Sequence, residues 1–526
     1  VDDVGVVITF AALNGPWPKA GVVVVALLAA LVLLVPERRA RALAMLGALV
    51  LAPVLLLVQI WNSPQLSIVH RHPLEAVVGG VVILGVLVAA AVVVARRPGL
   101  LAPAAVAALP FRVPIYSGGT TSNLLVPLYF VVAAGALAYI FTSLREAPTQ
   151  GQTTATNGGG LELWAERLLA LYVVLYAIQS SYSPDFQKAL QNLIFFYVPF
   201  ALLYRLLREL QWSRRLLREC LQVTVVLAVV FSLVGFYEYA TKTIILNPKL
   251  VVQNDLHTYF TVNSFFFDPD IFGRYLALTM ILLAASLIYD RPRREQSTVA
   301  VLLVILWACL VLTLSRSSLG ALLVGMAVLA ALRWQPSRAL VVAVVVVGLG
   351  AAAVAASPTT FGLNQGLNGA SSGRGGLVSG GLSLFGDRPV WGYGSGSFST
   401  EYRDHNRHTA SALSDSHTIA ITIAAEQGLI GELSYVAFVV VAIVCLVRRS
   451  RGDPLRSAVA AAFVALVFHT FLYADFLEDP TTWVLLGVGL ALARAPVLEL
   501  EPAARRRAAF SRLGSAVPAT QPDLGI

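Results

Sequence analysis

A group able to take a proton stands at His417, in Ser414-Asp-Ser-His417-Thr-Ile, shortly before Glu426-Gln-Gly428-Leu-Ile-Gly431. An imidazole with its ordinary pKa near 6.5 can accept a hydroxyl proton at neutral pH. Ile419, Ile421 and Ile423 follow and draw the segment toward an apolar phase, so His417 reads either as a base at a membrane surface or as a satisfied structural histidine. Glu426 would orient His417 or an acceptor, or lie on the surface. Four arginines could hold an anion. Arg316 sits in Thr313-Leu-Ser-Arg-Ser-Ser-Leu-Gly320, with almost no loop between two apolar runs. It is an interfacial anchor or a phosphate clamp, the latter helped by serine hydroxyls and a helix N-terminus. Arg274 follows Phe267-Asp268-Pro-Asp270-Ile-Phe-Gly273; it pairs locally with Asp270 at i,i+4 or binds substrate. Arg374, in Gly373-Arg-Gly375, and Arg112, after Pro110, are solvated loop residues or further anion contacts. His405, His408 and His417 lie near one another but lack HExxH spacing and a cysteine partner, so no metal is expected. The turn Asp475-Phe-Leu-Glu478-Asp479-Pro480 reads as solvated.

These groups must be placed by membrane helices. The 526 residues are 57% hydrophobic and 13% charged, with mean hydropathy +0.75, and the apolar runs approach the roughly 20 residues that cross a bilayer. Spans are expected near 20–36, 40–60, 76–95, 124–141, 163–180, 189–207, 221–240, 272–289, 298–314, 319–333, 339–356, 430–447, 457–475 and 481–495. Parity requires the short Leu100 to Phe111 stretch, broken by Pro103 and Pro110, to traverse as well. The fold class is therefore an all-α integral membrane protein of about fourteen helices.

The net charge of +9 comes from arginine clusters between apolar runs, the pattern that sets orientation, and not from a nucleic-acid-binding patch. With those clusters inside, 241–271, Ser315 to Ser318 and the long segment 357–430 face out, the last carrying possible short helices. The chain divides into an N-terminal bundle (1–240), a catalytic membrane region (241–496) and a disordered cytoplasmic tail (497–526). Cys220, Cys309 and Cys445 fall inside apolar runs without ligand spacing. The first apolar stretch reads as a retained span, not a cleaved signal.

In order along the chain, Phe267-Asp-Pro-Asp-Ile-Phe-Gly-Arg274, Thr313-Leu-Ser-Arg316, Gly373-Arg374, Phe385-Gly-Asp-Arg-Pro389-Val-Trp-Gly392-Tyr-Gly394-Ser-Gly396-Ser-Phe398 and His417 through Gly431 resemble the bacterial O-antigen ligase and polymerase family. The resemblance runs over about residues 260 to 435. It departs at Thr418, where the family often has Asn, and around Leu377, where an aromatic residue is common. It implies a C-type glycosyltransferase-like fold in the inner (cytoplasmic) membrane, with its site facing outward. It further implies metal-independent, inverting transfer without a cofactor, from a polyprenyl-diphosphate-linked glycan to a glycan or glycolipid acceptor. Arg316 and Arg274 would hold the diphosphate, with Arg374 contributing, and His417 would act as base. The alternative is a transporter or flippase of the lipid-linked glycan, using the same arginines. Ligase and polymerase differ only in the acceptor.

Overall fold

The computed structural model describes the chain except for residues 1–14, 62–69, 118–119, 146–159, 247–249, 252–253, 255–258, 290–292, 335–336, 338–373, 406–415, 474 and 495–526. The expected span at 339–356, most of the Gly/Ser/Asn-rich stretch, His257, His408 and the tail lie outside the described residues.

Among the described residues, ten helices are long and apolar enough to cross a membrane. They are Pro16–Leu34, Arg38–Gln59, Pro73–Arg96, Val126–Arg145, Phe186–Glu209, Arg214–Thr241, Pro269–Ile288, Glu295–Leu312, Arg316–Arg333 and Ile419–Arg448. Leu161–Ser180 matches another expected span but carries Glu162, Glu166 and Arg167. Pro454–Thr470 and Pro480–Arg494 are shorter apolar helices at the last two expected positions.

Two expectations are corrected. Pro98–Ala108 is helical, but at 1.5 Å per residue it rises only about 16 Å, roughly half the hydrocarbon thickness. That helix alone does not traverse. The all-α description also has an exception, an antiparallel hairpin pairing Val113–Ser117 with Thr120–Leu124.

Helix starts follow a local rule. Asp268-Pro269, Asp453-Pro454 and Asp479-Pro480 each put an acidic residue before a proline whose missing N–H needs no partner. Each aspartate then caps the first turn: Asp268 accepts from Asp270 N at 2.7 Å, Asp453 from Leu455 N at 3.0 Å, and Asp479 from Thr481 N at 2.8 Å. The Pro269, Arg316 and Pro454 helices pack against one another, and the Leu161 helix packs along the Ile419 helix. Gly273 permits part of this approach, since a Cβ there would lie 2.7 Å from Ser318 Oγ and 3.1 Å from Ser315 Cβ.

Not every basic residue is a surface anchor. Arg208 is buried, pairs with Glu166 at 3.0 Å and donates to the Leu490 carbonyl at 2.6 Å. Arg41 is likewise buried and reaches Glu209 and the Tyr139 hydroxyl. These charges lock helices together in an interior where an unpaired ion is costly.

The expected outer segment ends earlier than residue 430. It contains Arg374–Asp387 and Phe398–His405 as short helices, and the Ile419 helix begins before the apolar core of its run. That helix breaks at Gly428, where φ is 62° and ψ −163°. The loop bearing Pro389 to Gly394 lies across the break. Leu429 N donates to Pro389 O at 2.7 Å, Tyr393 N to Ala425 O at 3.2 Å and Gly394 N to Glu426 O at 2.7 Å. A broken helix beside a bilayer survives only when its freed backbone groups find partners, and this loop supplies them. A side chain at Gly428 would meet the Val390 backbone at 2.5 Å. The two glycine-rich motifs are thus halves of one interlock.

Candidate active site

The site forms where the Pro269, Arg316 and Pro454 helices meet the turn before Pro480. Asp268 caps the Pro269 helix, and Arg274 projects one turn later. Arg274 is 3% exposed and pairs with Asp479, Nη2 to Oδ2 at 2.8 Å. Asp270 instead takes the hydroxyls of Ser315 and Ser317, the latter at 2.9 Å. The i,i+4 neighbour considered for Arg274 is therefore replaced by a partner far along the chain. Arg274 Nη1 is buried without a hydrogen-bond partner among the described residues, which leaves one donor edge for an anion.

Arg316 opens the next helix and is exposed. Its neighbours tie that helix start down: Ser315 Oγ accepts from Ser318 N at 3.2 Å, and Ser318 Oγ donates to Asp270 O at 3.1 Å. His469, fully buried in the Pro454 helix, places Nε2 3.2 Å from both Ser317 Oγ and Ser318 Oγ.

His417 precedes the N-cap of the Ile419 helix and is half-buried, with φ of 59°. Left-handed backbone is uncommon for a non-glycine residue and clusters at functional sites. Ser416 holds the turn, accepting from Thr418 N at 3.1 Å and sharing a hydrogen bond with Thr422 Oγ1 at 2.9 Å.

Tyr473 joins these parts. Its ring centroid lies 6.1 Å from that of His417 and 5.7 Å from that of His469, and the Arg274 guanidinium carbon is 5.8 Å from it. Its hydroxyl lies near enough to Asp268 to lower that carboxyl's pKa. Burial, and then the Asp268 charge, hold that phenol well above its ordinary pKa. Burial, with the charge of Asp270 adding to it, pushes the Asp268 carboxyl up to about 6, against the lowering effect of Tyr473 and of the backbone donors Asp270 N and Ile271 N.

A pH test follows from that shift. The folded pKa of Asp268 lies above the unfolded value of about 3.9, so its contribution to stability falls as pH rises from about 4 through about 6. Asp268→Asn keeps the cap and removes the buried charge. Thermal denaturation should give the variant a higher Tm than wild type at pH 8, with the gap closing below about pH 6. A gap independent of pH would count against a buried, titrating Asp268.

Of the expected site residues, His417 and Arg274 meet on Tyr473, and Arg316 stands on the turn that reaches the same ring through His469. Glu426, expected to orient His417 or an acceptor or else to lie on the surface, makes holding contacts in the fold. Its carboxylate is buried and accepts from Gly396 N at 2.7 Å and Phe398 N at 3.0 Å, fixing the interlocked loop. Glu426→Ala leaves both buried donors without that acceptor, at about 1–3 kcal/mol each. A clear fall in Tm is expected, with Glu426→Gln intermediate; an unchanged Tm in the alanine variant would remove this role. Arg374 is the first residue of its helix, but its side chain lies outside what is described. Arg112 lies elsewhere, near enough to the Tyr129 hydroxyl to act on its charge. Its neighbour Phe111 stacks edge-on against Phe231 at 5.9 Å.

Tyr473, His469, Asp479 and Asp268 were not picked out as site residues in the sequence. The solvated reading of the Asp475–Pro480 turn is overturned, because Phe476 and Asp479 are buried and Glu478 accepts from Asn192 Nδ2 at 2.8 Å. Among the described residues, no three His, Cys, Asp or Glu side chains are grouped to hold a metal ion.

Residues 301–436, which include Arg316, Arg374, His417 and Glu426, match the O-antigen ligase family model. This match supports assigning the segment to the O-antigen ligase and polymerase family. The family segment takes in the interlocked loop and His417 but stops short of Arg274 on one side and of His469 and Tyr473 on the other. Comparison with curated proteins found no match. The many apolar helices and this match indicate, in general terms, a multi-pass membrane protein, and the match points to the glycan-ligase or polymerase class.

Proposed function

We propose that the chain transfers a glycan from a polyprenyl diphosphate carrier to a hydroxyl of an acceptor glycan or glycolipid, at the outer face of the cytoplasmic membrane. The observation that carries this reading is the meeting of His417 and Arg274 on one aromatic ring, with Arg316 at the adjoining helix start. A diphosphate leaving group needs positive charge in a partly dehydrated site, and the free edge of Arg274 together with exposed Arg316 would provide it without a metal. His417 would take the acceptor hydroxyl proton as that oxygen attacks the anomeric carbon from the face opposite the diphosphate. The bond from sugar to diphosphate breaks in the same displacement, the carrier diphosphate leaves with the electron pair, and the anomeric configuration inverts.

The test uses purified full-length protein with lipid-linked oligosaccharide and candidate acceptors. Mass spectrometry would follow glycan transfer and release of polyprenyl diphosphate. Transfer coupled to release supports the reading, and the product's reducing end separates polymerase from ligase. Carriage of the intact lipid-linked glycan across vesicles, without release, would replace it with a flippase.

A further inference from the structure

The family segment ends at residue 436, yet the side chain that touches most of the site is Tyr473, on the turn after the Pro454 helix. We infer that Tyr473 is a positioning residue that sets the spacing between the donor-holding arginines and the base; this rests on the transferase reading above. Its ring meets three functional elements that come from different parts of the chain. Arg274 lies over it, His417 sits beside it from the start of the Ile419 helix, and His469 packs on it while contacting the hydroxyls of Ser317 and Ser318 next to Arg316.

A half-buried aromatic ring is suited to this work. It is rigid, it attracts a guanidinium through its π face, and its edge packs against imidazoles at the distances seen here. Neither histidine nor Arg274 can shift without disturbing that ring. Because Tyr473 acts through Arg274 and His417, its loss should change how the reaction proceeds more than whether the protein folds.

The experiment compares Tyr473→Phe, Tyr473→Leu and Tyr473→Met with wild type and His417→Ala, using kcat per folded molecule, donor KM and Tm. Misplacing reacting groups by about 1 Å can lower rate about 10²-fold. The leucine and methionine variants should therefore lose roughly 10- to 100-fold in kcat, more than their donor KM changes. Tyr473→Phe keeps the ring and adds no polar group, so it should recover kcat to within about threefold of wild type. Methionine fills nearly the same space flexibly and guards against a leucine variant that does not fold.

Wild-type kcat and KM in a folded leucine or methionine variant would overturn the inference. So would a loss of more than about tenfold in folded Tyr473→Phe, which would move the role from the ring to the hydroxyl. If wild type itself releases no carrier diphosphate, the transferase reading fails first. If wild type works, His417→Ala does not, and Tyr473→Leu is normal, only this inference falls.

Discussion

His417→Ala should lower glycan transfer by about 10²–10⁴-fold while the protein remains folded, the range general-base removal typically gives. The left-handed backbone at His417 complicates alanine, because Asn, Asp and His adopt a φ of 59° more readily than most other non-glycine residues. Asparagine adopts that conformation more readily than most residues and cannot take the proton at neutral pH. His417→Asn should therefore keep the wild-type Tm and lose as much activity as alanine. Transfer followed by mass spectrometry, beside thermal denaturation in detergent, reads both quantities. An asparagine variant with wild-type turnover would end the base assignment, since its fold would not be in question. Equal loss in both variants would separate chemistry from turn geometry.

Arg274→Ala should be the most damaging single change to the donor side, for two reasons that a double variant can separate. It removes a cation from the site, and it leaves Asp479, 4% exposed, without its partner. Breaking a buried pair from one side costs about 3–5 kcal/mol, whereas replacing both members with apolar groups is often neutral. Arg274→Met combined with Asp479→Leu should recover much of the Tm lost by Arg274→Ala and still transfer no glycan. Activity returning with the fold would make Arg274 a structural partner only. A double variant as unstable as the single would show that the ion pair is not the source of the loss; Asp479 also caps the last helix through Thr481 N, so Asp479→Asn with Arg274→Met is the control that keeps the cap.

Much of this arrangement was legible residue by residue. The span expected near 272–289 put Arg274 at the start of a helix, where it lies. A helix N-terminus was expected just after Arg316; the helix begins at Arg316 itself, with Ser315 as its N-cap. The glycine-rich motif and Glu426-Gln-Gly428 were both visible. That they interlock was not, because the match is between backbone groups of a loop and a helix break, which side-chain patterns do not encode. Glu426 illustrates the limit. Its type and position beside His417 suggested chemistry, and only the folded chain delivers two amide donors to its carboxylate.

By itself, the amino-acid sequence determined that this is a membrane protein of many helices and where most of them lie, and it offered a histidine and arginines as candidates for a site. Apolar length, charge-poor runs and proline caps are local, so they survive without knowledge of the fold. Tertiary structure alone decided that Arg274 pairs with Asp479 and that Asp270 serves the serines. It also made Tyr473 the common neighbour of His417, His469 and Arg274. Those choices depend on which helices lie side by side in an interior that strongly favours pairing of each buried charge. No local spacing records that adjacency.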